Sequence, residues 1–367
     1  MQWKNTTLLV VAVIFSLAIL ELGLRIGTDH PVSRSSNTVK HPALGYVMSS
    51  RLAGIDHDGF RNPPARKANI AAIGDSHTYG YNVISEQSWP ARLGEATGKE
   101  VYNFGVGGYG ILQYAVLVDM AMAKKPEAIL IGLYLKNDLA TMCEDAARNK
   151  YWQEHRADFG IDLGCDELPE KGKRMGVARS LGRWVKENLA GVSILSDYFS
   201  RQAMLKKIKQ GDSEEALVVE HGPMTTLIQQ TRISLHADSL DLTRPQIAQA
   251  FNVLKQILRQ TADKTRQQKI RFGVLLIPSK ELVLYRTLIL QGRKLSKDYE
   301  RLVQNEEHLK RLVAELLTAQ GATVADVLPE MEKALSRQEI IYPPQYDGHT
   351  LEPGYRAYAA AARTLLQ

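Results

Sequence analysis

Cysteine is scarce in this chain: only Cys143 and Cys165 occur in 367 residues. No histidine motif accompanies either, so a cysteine nucleophile is excluded. In an oxidising compartment the two either pair, closing a loop of about twenty residues worth ~3 kcal/mol in the chain-entropy model, or stay as free thiols. No group of His, Cys, Asp and Glu residues has metal-ligand spacing, so no metal centre is expected. A Gly-Lys-Ser/Thr phosphate loop is missing too. The run Gly105-Val106-Gly107-Gly108-Tyr109-Gly110 fits a G-x-G-x-x-G register, but no acidic residue ends the next strand as a ribose ligand. No cofactor is expected. The sequence has no internal repeat and no low-complexity tract.

What is present is ample apolar material. With 44% hydrophobic and 23% charged residues, the chain can build a sizeable core, and its length alone allows two domains. The formal net charge is +6, concentrated rather than spread. Lys171, Lys173, Arg174, Arg179, Arg183 and Lys186 crowd one stretch, and Arg201, Lys206, Lys207 and Lys209 follow. Such runs attract anionic headgroups, acidic glycans or nucleic acid, or form a solvated basic face. No nucleic-acid-binding motif accompanies them, so no nucleic-acid partner is expected.

One long hydrophobic run opens the chain, from Thr7 to Leu20, interrupted by Glu21 and extended by Leu22-Gly23-Leu24. A bilayer span needs ~20 mainly apolar residues, with a lower limit near 17. Residues 1–27 are therefore expected to be a single-pass anchor or a cleaved signal, since Ser16-Leu17-Ala18 fits a small-x-small pattern. Lys4 gives an inside-positive cue. An anchor places the remaining chain on the outer side of the inner membrane, in the periplasm or beyond; a cleaved signal releases it. Residues 28–43 read as a polar linker, and 44–367 as one domain.

Within that domain, strands are expected at 69–74, 100–104, 128–135, 270–277 and 322–328. Helices are expected from Trp89 to Ala96, at 111–124, at 246–266, at 297–319 and from Tyr355 to Leu366. This alternation predicts an α/β fold around a mostly parallel, doubly wound sheet. From 139 to about 242 the periodicity is broken and charged, with helical stretches near 178–190 and 196–210. That stretch is either a helical insertion capping the site or an embellishment without contact to it.

The chemistry gathers at strand ends. The first strand runs into Gly74-Asp75-Ser76, which places a serine hydroxyl at the mouth of the sheet, where α/β folds bind their ligands. The plain alternative is a turn, with Asp75 or Ser76 capping a helix. A serine hydroxyl is a poor nucleophile and needs a base. His349, in a loop ahead of the Glu352-Pro353-Gly354 helix start, suits that task. Asp347 is placed to orient the imidazole, or else is a turn aspartate beside Gly348. Acyl transfer also needs donors for an oxyanion. The Ser76 N–H, a glycine N–H in the 105–108 loop and the Asn137 side chain are the candidates. His77 and Asp75 are expected to shape the turn and pocket rim.

These blocks, in this order, resemble the SGNH hydrolases, also called GDSL esterases and lipases. The resemblance runs from about Leu44 to Gln367, with an unmatched middle. It implies a three-layer α/β/α fold of the flavodoxin-like kind. It also implies Ser76 as nucleophile, Ser76, Gly108 and Asn137 as the oxyanion hole, and Asp347 and His349 as the proton relay. Gly108 is preferred over Gly105 and Gly107 because it stands five residues beyond Asn103, as in the family's second block. The segment Gly45–Pro64 resembles a lead-in found ahead of anchored relatives. Two departures stand out: Leu135-Lys136-Asn137-Asp138 lacks the usual glycine, and Asp347-Gly348-His349 is shorter than the usual Asp-x-x-His. The short spacing is similar to that of membrane-associated SGNH proteins that O-acetylate exopolysaccharides such as alginate. The expectation is an extracytoplasmic serine esterase acting on O-acetyl groups of an acylated glycan or related ester. The alternatives are a polysaccharide O-acetyltransferase using the same site, working beside polysaccharide-modification machinery, and a catalytically silent glycan-binding protein.

Overall fold

The computed structural model describes residues 37–64, 68–155 and 190–367, together with Ser16 and Ile19. The rest of the expected anchor or signal, most of the linker and nearly all of the helical stretch near 178–190 lie outside the described residues. Among the described residues no helix is long and apolar enough to cross a membrane. The linker's end differs from expectation, because Thr38–His41 form a short strand. The described residues fall into two compact units. One lies within Lys40–Leu168 and Gln210–Gln367 and holds everything discussed below; the other includes residues 190–209, most of one long helix.

Beyond the short strands Thr38–His41 and Gly45–Met48, the main elements in chain order are β1 (Ile70–Gly74), α1 (Ser76–Tyr79), α2 (Trp89–Thr97), β2 (Val101–Asn103), α3 (Ile111–Ala123), β3 (Ala128–Leu133), α4 (Leu135–Asp138), α5 (Met142–Arg148), α6 (Lys150–His155) and α7 (Ala190–Gln210). They continue with β4 (Ala216–His221), β5 (Met224–Gln229), α8 (Ile233–Asp238), α9 (Pro245–Gln267), β6 (Arg271–Leu276), α10 (Lys280–Leu290), α11 (Lys297–Ala319), β7 (Thr323–Asp326), α12 (Leu328–Ser336) and α13 (Glu352–Thr364). Five parallel strands form the central sheet in the order β2-β1-β3-β6-β7. This is the flavodoxin-like order, and the direction of winding reverses between β1 and β3.

Both faces of that sheet are covered, and the residue alternation shows how. Ala71, Ile73, Ile129, Ile131, Leu133, Val274 and Leu276 join one core with α3 and α9. Ile70, Ala72, Ala128, Leu130 and Leu275 join the other with α2, α10 and α13. Successive side chains of a strand point to opposite faces, so strands buried on both sides read as continuous apolar runs. The result is the expected three-layer α/β/α fold.

The structure corrects several expectations. The strand at 128–135 stops at Leu133, and Leu135–Asp138 form a helical turn, which fixes Asn137 on a short helix rather than in a strand extension. The stretch from 139 to 242 is not only helical: β4 and β5 pair as an antiparallel hairpin. Its two-residue turn is Gly222-Pro223, with Gly222 at φ +54° supplying the left-handed conformation such a turn needs. Helices α10 and α12, which the periodicity does not reveal, pack into the core shared with α13.

Candidate active site

Three neighbouring strands, β2, β1 and β3, end at the winding reversal and deliver the serine, glycine and asparagine blocks side by side. Gly74 ends β1 because nothing larger fits: a Cβ there would overlap the Thr78 side chain and the Gly132 carbonyl. The chain turns at Asp75, whose buried carboxylate caps α1 by accepting from the His77 N–H at 2.9 Å. Burial pushes the Asp75 carboxyl up to about 6, against the lowering pull of that hydrogen bond. Ser76 is thereby the first residue of α1, with its side chain turned to a cavity.

The structure brings Ser76, His349 and Asp347 into one hydrogen-bonded chain. Ser76 Oγ lies 2.7 Å from His349 Nε2, and His349 Nδ1 lies 2.6 Å from Asp347 Oδ1. The short Asp-x-His spacing closes as a turn, since the same Oδ1 accepts from the His349 backbone N–H at 3.0 Å. The other carboxylate oxygen accepts from Asn82 Nδ2 at 2.8 Å. Burial alone would raise the Asp347 carboxyl, but the His349 ring and N–H and the Asn82 amide hold it well below the usual carboxylate range. The carboxylate is thus ionised and able to stabilise an imidazolium. Asp347, the residue that spacing left most ambiguous, is in contact with the imidazole.

The candidate oxyanion donors sit on the segments that follow β1, β2 and β3. Gly107 lies beside the serine, since a Cβ built there would stand 3.7 Å from Ser76 Cβ. Gly108 follows in the left-handed region, φ +83°. Gly105 instead is packed against the Thr78–Tyr79 backbone, and its N–H is taken by the Asn103 side chain at 2.8 Å. Among the described residues no group accepts from the N–H of Ser76, Gly107 or Gly108. Asn137 is half-buried and lines the cavity. Its neighbour Asp138 is buried, accepting from Tyr134 N at 2.8 Å and from the Tyr114 hydroxyl at 2.9 Å, which pins the turn that presents Asn137. Burial raises the Asp138 carboxyl well above its ordinary value.

The cavity is about 310 Å³, and its wall includes Ser76, Asn137, Tyr346 and His349. The inserted stretch contributes Gln229, Arg232 and His236 to the same wall, so its later part does contact the site. Lys136 and Glu281 also line it, joined at 2.8 Å, with His236 Nδ1 3.2 Å from the other Glu281 oxygen. His77 is only 2% exposed, and its ring lies tilted against those of Tyr134 and His349, at centroid distances of 4.2 and 4.7 Å. Burial and the neighbouring His349 charge lower its pKa well below the ordinary histidine value, as suits a packing residue rather than a base.

Sequence reasoning missed Asn82 and Lys280. Lys280 is 2% exposed, and its ammonium donates to the carbonyls of Gln345 at 2.7 Å and Asp347 at 3.1 Å, so it braces the loop that carries the histidine. No motif announces either residue. The only signal for Lys280 is its place after Pro278-Ser279, a helix start in which a lysine is electrostatically out of place.

No protein-family model and no curated protein matches the sequence. Among solved structures the chain is similar to an extracellular lipase from Streptomyces rimosus, at 12% identity and a TM-score of 0.38, covering 81% of this chain and 99% of that one. It is similar to LAE5, an alpha/beta hydrolase enzyme from the metagenome of Lake Arreo, at 13% identity and a TM-score of 0.38, covering 82% and 94%. It is also similar to a GDSL-like lipase from Bacteroides thetaiotaomicron, at 11% identity and a TM-score of 0.34, covering 80% and 85%. The strand order and the serine–histidine–aspartate chain of this protein are those that its sequence blocks lead one to expect.

Proposed function

We propose that the protein is an extracytoplasmic serine esterase that cleaves O-acyl groups, chiefly O-acetyl, from a polysaccharide through an acyl-enzyme on Ser76. One observation carries the esterase reading: the unbroken chain from Ser76 Oγ through the His349 ring to Asp347, at 2.7 and 2.6 Å, opening on a cavity. Ser76 Oγ attacks the ester carbonyl while its proton passes to His349 Nε2. The N–H groups of Ser76 and Gly108 and the Asn137 amide hold the resulting oxyanion. Collapse breaks the ester C–O bond, and the leaving alcohol takes the proton from Nε2. Water then attacks the acyl-enzyme with His349 as base, releasing the acid and restoring Ser76.

The finer parts of the reading have their own support. The cavity stands at the lower end of the ~300–1,000 Å³ range of ligand pockets, and Gln229, Arg232, His236 and Tyr346 give it a polar wall. A short acyl group on a sugar suits that wall better than a long lipid chain. Export is supported by the apolar run ahead of Glu21 and by Cys143, which is disulfide-bonded. The polar wall supplied by the insertion also favours a second reading, an O-acetyltransferase, because it offers a place where a sugar hydroxyl can take the role of water.

The test is release of p-nitrophenol from p-nitrophenyl acetate by the full chain and by Ser76→Ala, with and without oligosaccharide acceptors, products being identified by mass. Turnover lost in Ser76→Ala supports the esterase. Acetylated sugar among the products moves the reading to transfer. A folded wild type that turns over nothing points to glycan binding instead.

A further inference from the structure

The lead-in segment ahead of β1 reaches the 105–109 loop through Tyr46. The Tyr46 hydroxyl donates to the Gly107 carbonyl at 2.7 Å. The peptide joining Gly107 to Gly108 is trans, so that carbonyl and the Gly108 N–H point in opposite directions. A group that grips the carbonyl on one side therefore aims the N–H on the other.

That grip matters because of where the peptide sits. Val106 to Tyr109 form a β-turn, closed by Tyr109 N–H donating to the Val106 carbonyl at 3.2 Å. Gly107–Gly108 is the central peptide of this turn, which the closing hydrogen bond does not hold. Its two orientations are what separate type I from type II turns, and φ +83° at Gly108 marks type II. Two glycines in succession set no side-chain preference between them. Tyr46 supplies the missing constraint. It is itself clasped, since the Tyr109 hydroxyl donates to the Tyr46 carbonyl and the two rings lie 5.4 Å apart. Burial, with the Asp145 charge added, pushes the Tyr46 phenol up to about 12, so it remains a donor at any physiological pH.

The same segment braces the other side of the site. Arg61 donates to the carbonyls of Gly80 at 2.8 Å and Val83 at 2.9 Å, holding the loop from which Asn82 reaches Asp347.

We infer that Tyr46 is a positioning residue of the oxyanion hole: its hydroxyl locks the Gly107–Gly108 peptide with the Gly108 N–H turned towards the acyl oxygen on Ser76. The inference rests on the esterase reading above. It makes the lead-in segment part of the active-site structure rather than a connector.

Tyr46→Phe in the full chain removes the hydroxyl and keeps the ring. Loss of a whole oxyanion donor costs ~100–1,000-fold, and a donor left in place but free to flip loses less, so kcat on p-nitrophenyl acetate falls about 10–100-fold. KM stays within about twofold, because the ester's ground state does not need the oxyanion donor. Phenylboronic acid, whose adduct on Ser76 carries a tetrahedral anion, binds more weakly by the same factor as kcat falls. A second variant carries 3-fluorotyrosine at position 46, a donor of nearly the same shape, and keeps kcat within about twofold of wild type.

An unchanged kcat in Tyr46→Phe overturns the inference, as does a fall in kcat with boronate affinity intact. So does a fluorotyrosine variant as slow as the phenylalanine one, or a Tyr46→Phe chain that does not fold, which assigns the hydroxyl to stability. In each of these cases wild-type turnover, dependent on Ser76, leaves the esterase reading standing. An inert wild type removes that reading and the positioning role with it.

Discussion

Replacing Lys280 by methionine separates what a buried cation costs the fold from what it does for the site. The ammonium is 2% exposed at the start of α10, and burial lowers its pKa from 10.5 to about 7 against the opposing pull of Glu281 and Asp347. At ~1.4 kcal/mol per pH unit, the gap between 10.5 and about 7 makes the charged group about 5 kcal/mol less favourable in the folded chain than in the unfolded one. Methionine removes that cost but leaves the carbonyls of Gln345 and Asp347 without their donor, at ~1–3 kcal/mol each. Below pH 7 the two effects nearly offset, and the variant is about as stable as wild type. Between about pH 7 and 10.5 the unfolded wild type keeps a proton that the folded one has lost, so wild-type stability rises with pH and the variant's does not. The difference grows in favour of wild type by up to ~1.4 kcal/mol per pH unit in that window. Activity moves differently, because the Asp347–His349 loop loses its brace; a shift of ~1 Å there costs about 100-fold in kcat. Urea unfolding of both chains at pH 6, 7, 8 and 9, followed by tryptophan fluorescence, reads the first effect, and p-nitrophenyl acetate turnover the second. A stability difference constant within ~0.5 kcal/mol from pH 6 to 9 refutes the buried cation. Full activity in Lys280→Met refutes the brace.

Other outcomes follow from the same geometry. Asp347→Asn keeps the turn but loses the charge that fixes the imidazole tautomer, and lowers kcat by about 1,000–10,000-fold with little change in KM, measured on p-nitrophenyl acetate at pH 7. Asn137→Ala removes a side-chain oxyanion donor and lowers kcat by about 100–1,000-fold. Thermal melts of that variant stay close to wild type, since the turn is pinned by Asp138 rather than by Asn137.

Much of the fold is legible in the sequence because the sheet strands are short apolar runs closed by clear signals. Ile70–Gly74 ends on glycine, Arg271–Leu276 is followed by Pro278, and α9 shows its buried stripe at helical spacing. The hairpin β4–β5 is not legible by alternation: all of Ala216, Leu217, Val218 and Val219 are buried, so no polar face marks the strand. Its Gly222-Pro223 turn is the one local sign. Helix α10 hides for the same reason, being buried over Lys280–Leu284 without a polar stripe. The blocks name Ser76, Gly108, Asn137, Asp347 and His349, and the structure places all five at one end of the sheet. What the sequence does not carry is the support behind them. Asn82, Lys280 and Tyr46 lie 265, 67 and 61 residues from the groups they hold, and only the folded chain joins them.

The most direct test of the account is covalent labelling of the full chain with a fluorophosphonate probe, followed by mass analysis of the peptide that carries Ser76. The account predicts one adduct, on Ser76, absent from Ser76→Ala and strongly slowed in His349→Ala. A folded wild type that stays unlabelled, or one labelled at another residue, contradicts it.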